Sequence, residues 1–306
     1  MKINKSIWKT AAMAVVITLV GAAFITRLSD WTRGLNSEFL VYGQTTTGGG
    51  GGTNTGGGTT TPTTVSKIIP QIAFGSFDGL NNYLTTIIII NDGTAAVNVS
   101  ATFYNQNGTP STAVYTKNVN GVFTTFTGAM ASSSLAVNNV LVITSPSTGT
   151  GGVNWGSIDY TSTGTLTVAG AFEVRDAATN VLYSRVGVAG SPSSMKQFVI
   201  PRARNTQSGL DFGYAIVNTS TSSATVAVTI YGPLGSVLAT KNLTLAAKNQ
   251  TAVFAKDFFG SALTDPTSAI TSFSFFNFTS TTPSFAAVAL AIEGASLASV
   301  PVDQLQ

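Results

Sequence analysis

Apolar and polar residues alternate along most of the chain after residue 65. Val97–Tyr104 and Thr225–Tyr231 follow this period of two, which is typical of a β-strand with one buried face. Thr, Ser, Asn and Gly fill the polar positions and the breaks, and this mixture favours strands and turns over helices. The pattern predicts further strands over Leu84–Asn91, Ala113–Lys117, Leu135–Ile143, Trp155–Thr161, Leu166–Val174, Phe212–Asn218, Leu238–Leu245, Thr251–Ala255, Ser272–Phe278 and Phe285–Ile292. Asp257–Leu263 is the one body segment for which we expect a short turn of helix.

The strand pattern occurs twice. The copies open at Ile69-Pro70 and Ile200-Pro201, and each has a strand that ends in Asn before a small polar turn. The next strand ends in Tyr before a turn that contains Gly, and Asn107-Gly108 in the first copy predicts a β-hairpin. About seven short strands per copy predict an all-β fold of two tandem immunoglobulin-like antiparallel β-sandwiches. We assign residues 66–194 to the first sandwich and 195–306 to the second, and we expect each to fold separately.

The N-terminal region has a different composition. Three lysines precede the apolar run Ala11–Ile25, which has the length of a secretory signal and is short for a bilayer span. We expect residues 1–25 to be either a cleaved signal peptide, with small residues up to Ala23 at the cleavage site, or an uncleaved signal-anchor. Residues 26–44 are a possible amphipathic helical stub, with Leu28, Trp31, Leu35 and Phe39 on one stripe. Only residues 7–25 are expected to meet a membrane, if they are retained.

Residues 45–65 form a Gly/Thr-rich segment without charge or large side chains until its last residue. A segment of this composition cannot bury a core. We therefore predict a disordered linker between the N-terminal segment and the body.

The formal net charge of +3 lies entirely in residues 1–44, which carry five Lys/Arg against two acids. The remaining acidic and basic residues balance. Because nucleic-acid binding depends on clustered basic residues that meet phosphates, we do not expect a nucleic-acid partner.

The chain contains no histidine and no cysteine. This absence excludes Ser-His and Cys-His catalysis, histidine-ligated haem, zinc fingers and thiol redox chemistry. We predict no catalytic residue, no metal site and no cofactor, and we do not expect an enzyme. Calcium held by oxygen ligands at a loop such as Asn91-Asp92-Gly93 is the one credible exception.

Three groups of body residues merit a functional alternative. Glu173, Arg175 and Asp176 are the densest charges, and a carboxylate catalyst would pair Glu173 with an acid such as Asp159. We favour a solvated ion pair instead.

Trp155 begins an alternating strand, so a place in the sandwich core is favoured over a sugar-stacking platform. Tyr104, Tyr115, Tyr160 and Tyr231 are expected to pack across strands rather than to line a ligand surface. Arg202 and Arg204, with Lys196 nearby, are interpreted as a solvated hinge strand rather than a contact for an acidic partner.

The chain resembles a family of tandem repeat domains in secreted proteins of Acidobacteria and related bacteria. The resemblance covers most of 66–306 and is clearest in the second copy, over Gly213–Asn218, Ala239–Leu245 and Phe285–Val302. It implies a β-sandwich fold and export, and it carries over no site residue.

These features favour a non-catalytic secreted or cell-surface protein, structural or adhesive, that displays two β-sandwiches on a flexible spacer. The alternatives are a subunit of an extracellular filament or surface layer, which would associate through exposed sheet edges, and a carbohydrate-binding module. The expected partner is a protein or glycan at the cell exterior, of unknown identity.

Overall fold

The computed structural model describes residues 63–146, 148–161, 164–204, 211–232, 234–259, 272–293 and 296–305. These residues form twenty strands and one short helix, arranged in four antiparallel sheets. The predicted all-β sandwich fold is confirmed. The N-terminal segment 1–25, the stub 26–44 and the linker up to residue 62 lie outside the described residues.

Eleven strands build the first sandwich. Sheet A1 has the order β11-β1-β8-β3-β6, and sheet B1 has the order β10-β9-β2-β7-β4-β5. The strands are β1 (Thr64–Phe74), β2 (Asn81–Ile90), β3 (Val97–Asn105), β4 (Val114–Val119), β5 (Val122–Thr127), β6 (Ala129–Leu135), β7 (Val140–Thr144), β8 (Gly152–Thr161), β9 (Thr167–Asp176), β10 (Leu182–Ala189) and β11 (Ser191–Pro192).

Nine strands and the helix build the second sandwich. Sheet A2 has the order β15-β14-β17-β12-β20, and sheet B2 has the order β16-β13-β18-β19. The elements are β12 (Gln197–Arg204), β13 (Asp211–Asn218), β14 (Ala224–Tyr231), β15 (Val237–Leu245), β16 (Gln250–Phe254), α1 (Ala255–Phe259), β17 (Ser272–Ser280), β18 (Phe285–Glu293), β19 (Ser296–Val300) and β20 (Asp303–Gln304).

The two sandwiches share one topology. Each strand of the second sandwich has the same neighbours as a counterpart in the first, so that β12, β13 and β14 correspond to β1, β2 and β3. The first sandwich differs by the β4–β5 hairpin, which extends sheet B1 beyond β7. The register gives equivalent positions directly: Tyr104 pairs with Trp155 on β8, and Tyr231 pairs with Phe275 on β17.

The asparagine at the end of the second strand of each copy holds the sandwich end together. Asn91 and Asn218 are fully buried. Each side-chain Nδ2 donates to the carbonyl four residues ahead, Ala95 or Ser222, and to a carbonyl of a distant strand, Leu135 or Leu245. Asn is favoured because its amide satisfies buried backbone carbonyls that would otherwise lack a donor.

Some sequence expectations were wrong in detail. The Asn107-Gly108 turn closes only a short antiparallel bridge between Tyr104 and Pro110. It does not pair β3 with β4, because β3 pairs with β6 and β8 whereas β4 pairs with β5 and β7 in the opposite sheet. The hairpin lies at Asn120-Gly121, where both residues adopt positive φ angles. The predicted strand Leu135–Ile143 is interrupted by a turn between β6 and β7. The helical turn begins two residues before the expected start, at Ala255, and residues 260–263 of the expected turn lie outside the described residues. Strand β1 begins at Thr64, within the segment assigned to the linker.

Sheet B2 is buried on both faces. Its inner face contributes Tyr214 and Ile216 to the core of the second sandwich. Its outer face packs Ala215, Val288 and Leu290 against Phe172, Val186 and Val188 of the first sandwich. The two sandwiches therefore share a continuous apolar contact. Among the described residues, no helix is long and apolar enough to cross a membrane.

Candidate functional site: the junction between the sandwiches

Trp155 lies at the junction of the two sandwiches. Its ring stacks on Tyr104 with the centroids 4.4 Å apart and an interplanar angle of 18°. Ile68, Val217 and Ala286 complete the same buried cluster, and the last two belong to sheet B2. The indole Nε1 donates to the Lys248 carbonyl over 2.8 Å. Trp155 is thus a structural link between the copies.

Lys248 closes this corner from the second sandwich. Its φ of 59° is left-handed, a conformation that few residues other than Gly and Asn adopt easily. This conformation accompanies the hydrogen bond from Trp155 to its carbonyl. The ammonium Nζ donates to the Thr219 carbonyl and lies 5.9 Å from the ring centroids of both Tyr104 and Trp155, within the range of cation–π attraction.

Both interpretations of Trp155 from the sequence need correction. The side chain is buried, with an exposed fraction of 1%, but it lies outside the core between sheets A1 and B1. The ring of Trp155 is also inaccessible to a sugar, because Tyr104 stacks on one face and residues of sheet B2 pack against it. Strand alternation places Trp155 on the outer face of its sheet, but it does not reveal what covers that face.

Of the charge cluster on β9, Glu173 is buried, whereas Arg175 and Asp176 are partly exposed. Glu173 is 3% exposed and accepts hydrogen bonds from Arg175 Nε over 2.9 Å and Arg185 Nε over 2.8 Å. Both guanidinium groups also form ion pairs with its carboxylate. Two guanidinium groups hold the one carboxylate, so Glu173 is committed to a structural ion-pair cluster.

Asp159 does not pair with Glu173. It lies on β8 in sheet A1, whereas Glu173 lies on β9 in sheet B1. The Asp159 carboxylate accepts hydrogen bonds from Ser66 over 2.5 Å and Ser157 over 2.8 Å. The two carboxylates of the hypothetical glycosidase pair are therefore engaged in different sheets.

The basic run near the start of the second copy is also not a solvated strand throughout. Arg202 is 5% exposed and lies opposite Ser274 of β17. Lys196 is exposed, and the side chain of Arg204 lies outside the described residues. The two described side chains, buried Arg202 and exposed Lys196, do not share one environment.

The loop expected to offer calcium ligands uses its oxygens internally. The Asn91 Oδ1 accepts from the Gly93 amide, and the Asp92 carboxylate accepts from the Thr167 hydroxyl over 2.6 Å. Within the described ranges, no group of three or more Asp and Glu residues is close enough to hold a metal ion.

Burial raises the pKa of several tyrosines among the described residues. Burial raises the pKa of Tyr115 to about 12, and the Asn154 amide donates to its hydroxyl over 2.6 Å. Burial also raises the pKa of Tyr83 and Tyr214. Burial, and secondarily the negative charge of Asp159, raises the pKa of Tyr104. None of these groups is prepared for acid–base work near neutral pH.

A polar cleft of about 250 Å³ opens at the junction beside Trp155 and Lys248. Its hydroxyl groups already donate within the chain: Ser66 and Ser157 to Asp159, and Thr219 to the carbonyls of Ser193 and Ser284. The cleft therefore resembles a seam between packed sandwiches more than a prepared ligand pocket, since specific pockets converge uncommitted polar groups on the ligand.

One surface feature escaped the sequence interpretation. Tyr231 and Phe275 are stacked on the outer face of sheet A2, with centroids 4.8 Å apart, at the positions equivalent to Tyr104 and Trp155. Unlike that pair, they are open, and Phe275 is 38% exposed. Only strand register reveals the equivalence, because the residue opposite Tyr is Trp in one copy and Phe in the other.

No protein-family model matches the chain, and no curated protein matches it. Among solved structures, the apo lectin of Pleurotus ostreatus aligns at a TM-score of 0.18 and 8% identity, over 80% of this chain and 84% of the lectin. The lectin from Pleurotus ostreatus in complex with GalNAc gives 0.15 at 9% identity, over 79% and 81%. A β-glucuronidase from glycoside hydrolase family 2 gives 0.15 at 10% identity, over 75% of this chain and 23% of the enzyme. Scores of this size carry no conclusion about the fold or function of the chain.

Proposed function

We propose that the chain is a non-catalytic structural or adhesive protein of the cell exterior, in which the two sandwiches act as one rigid body. The segment 45–63, which precedes β1, serves as the spacer between this body and the N-terminal segment. The expected partner is a protein or glycan outside the cell.

One observation carries the proposal: the side chains that suggested chemistry serve the packing of the body. Trp155 links the sandwiches, Glu173 is held by two arginines, and Asp159 is held by two serines. The apolar centre of the outer face of sheet B2 packs on the first sandwich. A rigid two-domain body supports a mechanical or display role, because its interface resists motion of one domain against the other.

The place of the body is tested on intact cells that express the full chain. A membrane-impermeant amine reagent should modify the exposed Lys196 before lysis, and peptide mass spectrometry identifies the modified position. A cytoplasmic protein of the same cells is the control and should remain unmodified. Modification of Lys196 only after lysis would contradict the proposal.

The mature N-terminus separates release from anchoring. A chain that begins after Ala23 indicates a cleaved signal peptide, whereas a chain that retains residues 7–25 in the membrane fraction indicates an anchor. Both results agree with export.

A further inference from the structure

The contact between the two sandwiches joins two different surfaces. The donor surface is the outer face of sheet B2, with Ala215, Val217 and Val288 at its centre. The receiving surface is the corner of the first sandwich formed by Ile68, Tyr104 and Trp155, together with the edge residues Phe172, Val186 and Val188. Such a contact is heterologous, and a heterologous contact can be repeated from molecule to molecule.

The first sandwich carries the equivalent of the donor surface, and among the described residues it is left partly exposed. Register places Ile88 and Ile90 of β2 at the positions of Ala215 and Val217, and Val142 and Val140 of β7 at those of Ala252 and Gln250. All four point away from the core, since Ile87, Ile89, Leu141 and Ile143 point into it. Ile88, Ile90 and Val142 are half-buried, and Val140 is 38% exposed. This uncharged aliphatic patch is the free donor surface.

The second sandwich carries the equivalent of the receiving surface, which the described residues also leave partly exposed. Phe275, Tyr231 and Val199 occupy the positions of Trp155, Tyr104 and Ile68. Val199 and Tyr231 are half-buried and Phe275 is exposed. These three residues form the free receiving surface.

A glycine at the rim shows the same difference. Gly108 and Gly235 each lie four residues after the tyrosine of their copy, with φ angles of 80° and 77°. A Cβ on Gly108 would lie 2.6 Å from the Ala247 carbonyl oxygen of the second sandwich, whereas one on Gly235 would meet nothing within 4 Å. The turn shape that receives the partner loop in the first copy is thus also present and vacant in the second.

We infer that chains associate head to tail, with the free donor surface of one copy on the free receiving surface of the next. Ile90 of one molecule then contacts Phe275 and Val199 of its neighbour, as Val217 contacts Trp155 and Ile68 within the chain. The named residues of both surfaces carry no charge, and the carboxylates of Asp92 beside Ile90 and Asp303 opposite Val199 lie at their rims. The inferred partner is a second copy of the chain. A donor surface and a receiving surface are joined at the junction, and an equivalent of each is free elsewhere on the same chain.

Head-to-tail association specifies the proposed structural role. It rests on the proposed function only for the location of the assembly at the cell exterior. The test uses purified full chain in mild detergent, so it does not depend on export. A failure of assembly would leave the surface-labelling result standing, and retention inside cells would leave the assembly result standing.

Two matched variants test the heterologous contact. Val140→Lys removes the donor surface and Phe275→Lys removes the receiving surface, at positions of equal exposure. At about 0.1 mM, sedimentation velocity should show wild-type oligomers that grow with concentration, whereas each variant alone remains monomeric. An equimolar mixture of the two variants should give dimers and nothing larger, because one functional donor and one functional receiver remain. Leu80→Lys, at an exposed loop residue, should behave as wild type.

Engineered cysteines give a covalent readout that does not depend on affinity. The chain has no cysteine, so Ile90→Cys with Phe275→Cys should produce a ladder of disulfide-linked oligomers on mild oxidation. Either single variant should produce none.

Three results would overturn the inference. The wild-type chain could remain monomeric and form no ladder, or a single-cysteine variant could yield dimers, which indicates a two-fold contact. Loss of oligomers in Trp31→Lys or in Val122→Lys but not in Val140→Lys would assign association to the N-terminal segment or to the β5 edge instead.

Discussion

The outer aromatic pairs of the two sandwiches have the same geometry and opposite surroundings. Tyr104 and Trp155 are stacked under sheet B2, whereas Tyr231 and Phe275 are stacked in the open. Sheets B1 and B2 differ in the same way at equivalent positions, since Ala215 and Val217 of B2 are buried whereas Ile88 and Ile90 of B1 are only half-buried. The two sandwiches therefore share one architecture but differ in what covers their outer faces. Matched substitutions at equivalent positions can separate the effect of packing within a sandwich from that of packing between sandwiches.

The largest difference in unfolding free energy is expected for a charge placed on the outer face of sheet B2 or of sheet B1. Val288→Asp buries a carboxylate without a partner in the junction, which should cost about 3–5 kcal/mol of unfolding free energy. Ala169→Asp makes the equivalent change on sheet B1, where the residue is half-buried at the surface, and should cost under about 1 kcal/mol. Urea unfolding at low protein concentration measures both, and equal losses would argue against a buried junction.

The aromatic pairs give the next comparison. Trp155→Ala removes a fully buried ring and its hydrogen bond to Lys248, and should destabilise the chain by about 3–5 kcal/mol. Phe275→Ala removes a partly exposed ring and should cost about 1 kcal/mol. The same urea titrations apply, and a cost for Phe275→Ala as large as that for Trp155→Ala would show that the open pair is covered in solution.

The Glu173 cluster is present in the first sandwich only, because the equivalent position on β18 is Ile292. Glu173→Gln keeps the shape but weakens the charge-assisted hydrogen bonds from Arg175 and Arg185, and should cost about 1.5–3 kcal/mol. The cost should change little when salt is raised, since a buried pair is screened weakly. A loss that disappears in high salt would restore the solvated ion pair expected from sequence.

Gly108→Ala and Gly235→Ala sharpen the comparison at the rim. Both place a side chain at a positive φ angle and share a cost of about 1 kcal/mol. Only Gly108→Ala also drives a methyl group into the Ala247 carbonyl oxygen, which should add about 1–3 kcal/mol. Thermal melts of the pair measure the difference, and identical melting temperatures would place the second sandwich farther from this turn.

The smallest effect concerns the turn after β9. The hydrogen bond from the Tyr183 hydroxyl, together with those from Thr179, lowers the pKa of Asp176 from 3.8 to about 2. The folded state therefore favours the carboxylate, so this contribution to stability is complete above pH 3.8 and is lost as the pH falls toward 2. In Tyr183→Phe the pKa of Asp176 should move back toward 3.8 in an NMR titration. An unchanged pKa would show that the backbone turn alone holds the carboxylate.

The sequence predicted the fold where a residue's own strand decides its environment. Alternation identified Val97–Asn105 and Ala224–Tyr231 because one face of each strand meets the core. It could not identify strand partners, so the Asn107-Gly108 turn was interpreted as a hairpin although the chain crosses to the other sheet there. Trp155 and Glu173 were misplaced for a related reason: alternation assigns a face, but a distant strand decides whether that face is buried.

The expectation that each sandwich folds separately remains a prediction, and the junction gives it a sharper form. Residues 195–306 alone would expose the apolar outer face of sheet B2, including Phe254, Val288 and Leu290. Exposed sheet faces of this kind promote association. The isolated segment should therefore bind a hydrophobic dye, and Val288→Asp in the segment should reduce that binding.

Calorimetry of the full chain tests most directly whether the two sandwiches form one body. Burial of sheet B2 on both faces predicts a single unfolding transition at low protein concentration, with equal van't Hoff and calorimetric enthalpies. Two resolved transitions would contradict a shared interface, if the transition of the second sandwich is unchanged by Trp155→Ala in the first.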